Sequence, residues 1–212
     1  MPDTDELIDQ LTDELAPTQT VSPALGRVML GVVALLTILV VVGLFGMRPD
    51  FASGHPHPVP LIGALVVLSA GIAIAAALTA MARPAVGAVR TAWPWAIAGL
   101  AVLPIAAVVT AMGSHEQRAA MMPQASSFCL IAGIVASIAS VIALTLWLRR
   151  GAPTSPERGS WLIGIAGGTV GALAMAFVCP SDAIAHIGIW HVGIIAVAAV
   201  AARLVLPRFL RW

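Results

Sequence analysis

The chain has 212 residues, of which 59% are hydrophobic and only 10% charged, with a formal net charge of +1. A soluble domain carries about 25% charged residues, so this composition excludes an ordinary water-soluble core and indicates an integral membrane protein. All 11 basic residues are arginine, and the near-neutral balance offers no basic surplus for nucleic acid, so no direct nucleic-acid binding is expected.

The chain opens on a polar, acidic tail, residues 1–27, with six carboxylates among the first 14 residues. No short basic run precedes the first apolar segment, so a cleaved secretory signal is not expected. Thr4 or Asp3 can cap a helix whose acidic first turn opposes its dipole. Leu7, Ile8, Leu11 and Leu15 then form one apolar stripe, and Pro17 stops the helix. Some three turns are marginal alone in water, so the segment is expected to order on a partner. It is too acidic for an anionic membrane surface and fits the groove of a basic protein. Residues 17–23 read as a flexible link.

Six apolar runs follow: Val28–Met47, Leu61–Met81, Trp93–Met112, Ala125–Leu148, Trp161–Val178 and Ala183–Leu206. Each is long enough to cross a hydrocarbon layer ~30 Å thick as a helix. The predicted fold is all-α and polytopic: a tail (1–27), a six-helix transmembrane domain (28–206) and a short basic C-terminus (207–212). On the fifth run, Gly164 with Gly168 and Gly167 with Gly171 are two overlapping small-xxx-small pairs suited to close helix packing. Pro104 is read as a structural kink of the third.

Arginine orients the bundle. The tail, the second and fourth loops and the C-terminus together hold nine arginines, whereas the first, third and fifth loops hold two, Arg48 and Arg118. Arginine-rich short segments stay in the cytoplasm, so both termini are expected inside. The loops at 48–60, 113–124 and 179–182 are then outside, in a bacterial compartment that is oxidising and exposed to metals. No Asp, Glu, Lys or Arg lies deep in the spans, which argues against a pump or ion-coupled transporter.

The chain's two cysteines, Cys129 and Cys179, then lie near the same outer face. Pro180 as first helical residue would make Cys179 the N-cap of the sixth span, where unpaired N–H groups favour thiolate. Asp182, His186 and Trp190 follow at offsets of three, seven and eleven, on one helical stripe. Thiolate, carboxylate and imidazole on one stripe make a candidate metal site of Cys129, Cys179, Asp182 and His186. His191 points off that stripe and ranks below them. His55, His57, His115, Met121 and Met122 read as solvated loop residues. A membrane thiol oxidoreductase and a metal transporter are the rival functions, although no C-x-x-C pair is present.

The tail pattern Leu7-Ile8-x-x-Leu11-x-x-x-Leu15-x-Pro17 and the outer pattern Cys179-Pro180-x-Asp182-x-x-x-His186-x-x-x-Trp190-His191 resemble the NrsF-like family of six-helix bacterial membrane anti-sigma factors, the negative regulators of sigma F. Cys129 sits where that family places its other cysteine. One departure is Thr18-Gln19 after Pro17, where an arginine is expected. The resemblance implies that the tail, through Leu7, Ile8, Leu11 and Leu15, sequesters an extracytoplasmic-function sigma factor. It also implies that Cys129 and Cys179 sense heavy metal or oxidant. The expected protein is thus a non-enzymatic, multi-pass inner-membrane regulator. No cofactor is obligatory; a transient heavy-metal ion at the cysteine cluster is the one expected.

Overall fold

A computed structural model describes residues 3–13, 21–82, 93–151, 153 and 155–210. They form helices α1 (Thr4–Asp13), α2 (Pro23–Phe45), α3 (Pro49–Ala52), α4 (Pro58–Ala80), α5 (Trp93–Gly113), α6 (His115–Ala120), α7 (Pro123–Leu148), α8 (Pro156–Ala176), α9 (Ile184–His186) and α10 (Val192–Val205). A π turn, Ile187–His191, joins α9 to α10, and a 3₁₀ turn, Leu206–Arg208, follows. There is no strand among the described residues. Six helical segments, α2, α4, α5, α7, α8 and the α9–α10 run, are long and apolar enough to cross a membrane.

Several spans start earlier than their apolar runs. α2 begins at Pro23 rather than Val28, α4 at Pro58 and α8 at Pro156. In each the preceding side chain, Ser22, His57 or Ser155, accepts an N–H of the first turn, and proline takes a position whose own N–H has no helical partner. Polar caps are invisible to an apolar-run criterion. At the other end of α2, Gly46 adopts a φ of +82°, which L side chains rarely adopt, and turns the chain out of the helix.

α8 is the axis of the bundle. Its most apolar stretch is 89% buried inside the protein, against 11% for α2. Its glycines explain this. A Cβ on Gly164 or Gly168 would strike Ala199 or Ile195 of α10, and one on Gly167 or Gly171 would strike Val141 or Gly133 of α7. The two small-residue pairs thus seat two different neighbours. α4 closes a third side, where Gly71 meets Thr169. Ile74, Leu78, Leu144, Leu148, Ile163, Met175 and Ile194 fill the core. Leu36, Leu39 and Val40 of α2, Ile131, Val135 and Ile138 of α7, and Ile105 and Val109 of α5 are exposed. An apolar exterior of this extent suits lipid rather than water. The buried hydroxyls of Ser137, Thr145, Ser160 and Thr169 bond carbonyls three or four residues back in their own helices.

The bundle has two distinct ends. At one, Gly26 meets Trp147, Gly151 meets Ala82, and Gly159 meets Leu148 and Leu210. This end carries Arg149, Arg150, Arg158, Arg203 and Arg208, and Arg203 pairs with Glu157 at 2.8 Å. At the other lie α3, α6 and the segment 177–183.

Candidate functional site

Four side chains from three parts of the chain converge at that second end. Cys129 comes from the second turn of α7, Cys179 from the irregular segment after α8, His186 from the end of α9 and His191 from the end of the π turn. Each offers one ligand atom, and these atoms all lie within 4.8 Å of one another. All four residues are buried, with at most 5% of their surface exposed. Both cysteines are free thiols.

The hydrogen bonds assign the protons. Cys129 Sγ donates to Cys179 Sγ at 3.4 Å, and Cys179 Sγ lies 3.2 Å from His186 Nε2. His186 Nδ1 lies 2.9 Å from Ser126 Oγ, one turn before Cys129, and Ser126 Oγ donates to Ala120 O at 3.1 Å. A hydroxyl has one proton, so Ser126 accepts Nδ1–H from His186. In neutral imidazole this leaves the Nε2 lone pair facing Cys179. The hydrogen bond from Cys129 holds the Cys179 thiol below its ordinary range, against the opposing effect of burial. His191 Nε2 is buried with no hydrogen-bond partner among the described residues. An orphaned polar atom inside a donor cluster has lost its hydration without replacement.

Two thiols and two imidazoles are the donor set of a closed tetrahedral site for a soft cation. With metal–sulfur and metal–nitrogen bonds of ~2.3 and ~2.0 Å, the edges of such a site are about 3.8 Å between sulfurs and about 3.5 Å from sulfur to nitrogen. The distances of 3.4 and 3.2 Å require an expansion of a few tenths of an ångström. Ser126 would orient His186 as an outer-shell partner. The same sulfurs are also near enough to close a disulfide, whose bond is about 2.05 Å.

The expected stripe is not formed. α8 ends at Ala176 and the next helix begins at Ile184 with Ala183 as its N-cap, so Cys179 neither ends one helix nor caps the other. Asp182 precedes the helix and is half exposed. Its Oδ1 lies 2.5 Å from Arg48 Nη2, outside the four-donor cluster. His191 takes the fourth place because the π turn alters the helical phase. Five residues in an α-helix carry a side chain well past one turn, whereas i→i+5 bonding brings it back near the start. The His186 and His191 rings accordingly meet edge to face, with centroids 5.6 Å apart. Gly188 permits this, since a Cβ there would collide with Leu103 O and Ala107 of α5. Leu103 directly precedes Pro104, which lies inside the unbroken α5. Trp190 falls within the π turn, its Nε1 buried without a partner among the described residues.

Arg48 went unnoticed in sequence except as a loop arginine. It is 5% exposed and anchors the segment that carries Cys179. Its guanidinium donates to Asp50 at 2.5 Å, to Asp182 at 2.5 Å and to Cys179 O at 2.9 Å, and its backbone N–H donates to Phe177 O at 2.9 Å. The bond from Arg48 holds the Asp50 carboxyl down to about 2. Asp50 Oδ2 also accepts the N–H of His57, the N-cap of α4. The available signal was charge matching, because Asp50 and Asp182 are two of only three acids, with Glu116, in the loops at 48–60, 113–124 and 179–182. His55 bonds Ser53 O, while His115 opens α6 and Met121 and Met122 follow it; none of these joins the donor cluster.

In the tail, Ile8 and Leu11 are more than half exposed on α1. Leu15 and the side chain of Leu7 lie outside the described residues, as do Pro17, Thr18 and Gln19.

Fold and site together define a six-helix membrane protein with a buried thiol–imidazole centre at one end and an acidic amphipathic tail joined to the other. The sequence model of NrsF, described as negative regulator of sigma F, matches residues 11–212. The chain therefore belongs to the NrsF family of anti-sigma factors. It is 26% identical over 207 residues to the anti-sigma-F factor NrsF of Caulobacter vibrioides (strain NA1000 / CB15N), with 93% of this chain and 94% of that protein covered. No solved structure matches the chain.

Proposed function

We propose that this protein sits in the bacterial inner membrane with both termini in the cytoplasm. Its tail sequesters an extracytoplasmic-function sigma factor. It releases that factor when heavy metal or oxidant reaches Cys129 and Cys179 from outside. The observation that carries this reading is the spatial separation of two parts. A buried cluster of two thiols and two imidazoles occupies one end of the bundle. The exposed apolar residues Ile8 and Leu11 belong to a tail that joins α2 at the other. Cation binding spreads the two sulfurs, and oxidation draws them together; either displaces the 177–183 segment. Regulation through such a displacement requires no catalysis.

The test is a reporter driven by the sigma factor that co-purifies with the protein, in cells exposed to Cd²⁺. The Cys129→Ser/Cys179→Ser protein, at wild-type abundance, should repress at rest and fail to respond. A normal cadmium response in that strain would return both cysteines to ordinary packing.

A further inference from the structure

The site lies at one end of the bundle and α2, which follows the tail, begins at the other, so a displacement at Cys179 needs a carrier. α8, which leads directly into the Cys179 segment, is poorly suited. It is the most deeply buried helix, and its glycines are locked against the backbones of α7 and α10. α7, which carries Cys129, shares that glycine-seated interface. α2 has the opposite character. Only Gly26, Thr37 and Val41 of its 23 residues are buried; Met29, Leu30 and Ile38 pack partly on the core, and much of the remaining surface is apolar and exposed. An element with few buried contacts moves at least cost. α2 also follows directly on residues 21 and 22, where the tail ends.

At the cysteine end, Phe45 of α2 meets Phe128 of α7 edge to face, with centroids 5.1 Å apart, but the link from α2 to the Cys179 segment runs through Arg48. Arg48 stands three positions beyond Phe45, the last residue of the helix. Its main chain holds Phe177 O, and its guanidinium holds the carbonyl of Cys179 itself. Asp50 and Asp182 grip the same guanidinium from two sides, and Phe51 lies 5.5 Å from it. Every donor group of the arginine that faces this network is thereby directed, which leaves little slack. A straight helix of 23 residues is roughly 35 Å long, enough to carry a tilt or axial shift from one membrane face to the other.

We propose that Arg48 is the positioning residue that couples the cysteine centre to the sigma-binding tail, by transmitting movement of the Cys179 backbone to α2. The inference rests on the sensing role assigned above. Arg48 contributes no ligand to the centre; it reports the position of the peptide group next to one.

The experiment compares wild type with Arg48→Met, Arg48→Lys and Cys179→Ser, each as full-length protein at matched abundance. Two quantities are measured: cadmium-induced sigma release in cells, and Co²⁺ binding by the purified reduced protein in detergent micelles. Arg48→Met should bind Co²⁺ with wild-type stoichiometry and spectrum, repress normally at rest, and lose at least about tenfold of the induced release. Arg48→Lys keeps the charge between Asp50 and Asp182 but cannot fill the planar fork. It should fold, repress and respond at an intermediate amplitude, and it decides the matter if the methionine protein is degraded. Full induction by Arg48→Lys in that case, or by Arg48→Met, overturns the proposal. So does constitutive release by either variant with intact Co²⁺ binding, since Arg48 would then hold sigma-competent structure rather than transmit a signal. So does loss of Co²⁺ binding, which would make its role local. Cys179→Ser should lose both binding and release. If it still releases sigma normally, the sensing role and this coupling fall together; normal release by Arg48→Met with loss in Cys179→Ser removes the coupling alone.

Discussion

His186 and His191, five positions apart, place their rings edge to face at 5.6 Å because the chain between them is π-helical. In a regular α-helix His191 would face a different neighbour. The pairing delivers a fourth donor to the cysteines and leaves Asp182 to bind Arg48.

Cation affinity should follow that division. In the reduced protein, Co²⁺ should give thiolate charge-transfer bands and the visible spectrum of a tetrahedral complex. His191→Ala should weaken binding by at least about tenfold, a loss seen even for outer-shell partners of metal sites. Asp182→Asn should change it by less than about twofold. The reverse ranking in a spectroscopic titration would exclude His191 from the site.

The 3.4 Å separation of the two sulfurs sets a redox expectation. Diamide should take one hydrogen from each thiol of the metal-free protein and leave a single Cys129–Cys179 disulfide, about 2 Da lighter by the geometry of one S–S bond in place of two S–H groups. Zn²⁺ added first should block the reaction, because both sulfurs are then engaged as ligands. Two free thiols remaining after diamide treatment of metal-free protein would contradict the pairing.

Topology is tested away from the buried cysteines. Ser53 and Arg158 are exposed at opposite ends of the bundle. In a Cys129→Ser/Cys179→Ser background, a membrane-impermeant maleimide on spheroplasts should label Ser53→Cys and spare Arg158→Cys. Labelling of the second alone would invert the orientation that the arginine distribution implies.

The tail hypothesis predicts a large effect from a small change. Leu11 is exposed on α1, so Leu11→Asp should leave the bundle folded. A buried apolar anchor at an interface contributes about 2–4 kcal/mol, so sigma binding should weaken roughly 30- to 1,000-fold. Undiminished co-purification of sigma with this variant would show that the stripe is not the contact.

Gly171 offers a stability test. Its Cβ would strike the carbonyl oxygen of Gly133, a backbone atom that cannot swing aside, whereas a Cβ on Gly99 meets nothing within 4 Å among the described residues. Gly171→Ala should cost about 1–3 kcal/mol by overpacking. The thermal midpoint in detergent should then fall by several degrees, whereas Gly99→Ala should not lower it. Equal midpoints would mean that α7 and α8 are not seated as described.

The sequence by itself determined the class of fold, because twenty-residue apolar runs leave few alternatives to membrane helices. Gly164, Gly167, Gly168 and Gly171 were readable as packing surfaces for a related reason: close helix approach demands small residues at fixed spacing, whatever the partner. Periodicity also placed Ile8 and Leu11 on an exposed helix. The donor set was not determined in this way. Extrapolating α-helical phase backwards from His186 put Asp182 and Cys179 on its stripe, but the helix starts only at Ile184, and extrapolating it forwards turned His191 away. Tertiary packing decided both points. Arg48 bonds Cys179 O and Asp182 in a segment that is not helical, while the close contact of Gly188 with α5 accompanies a π turn that restores His191 to the centre. Partners 131 and 134 positions apart leave no local pattern, because their pairing depends on where six helices place their ends.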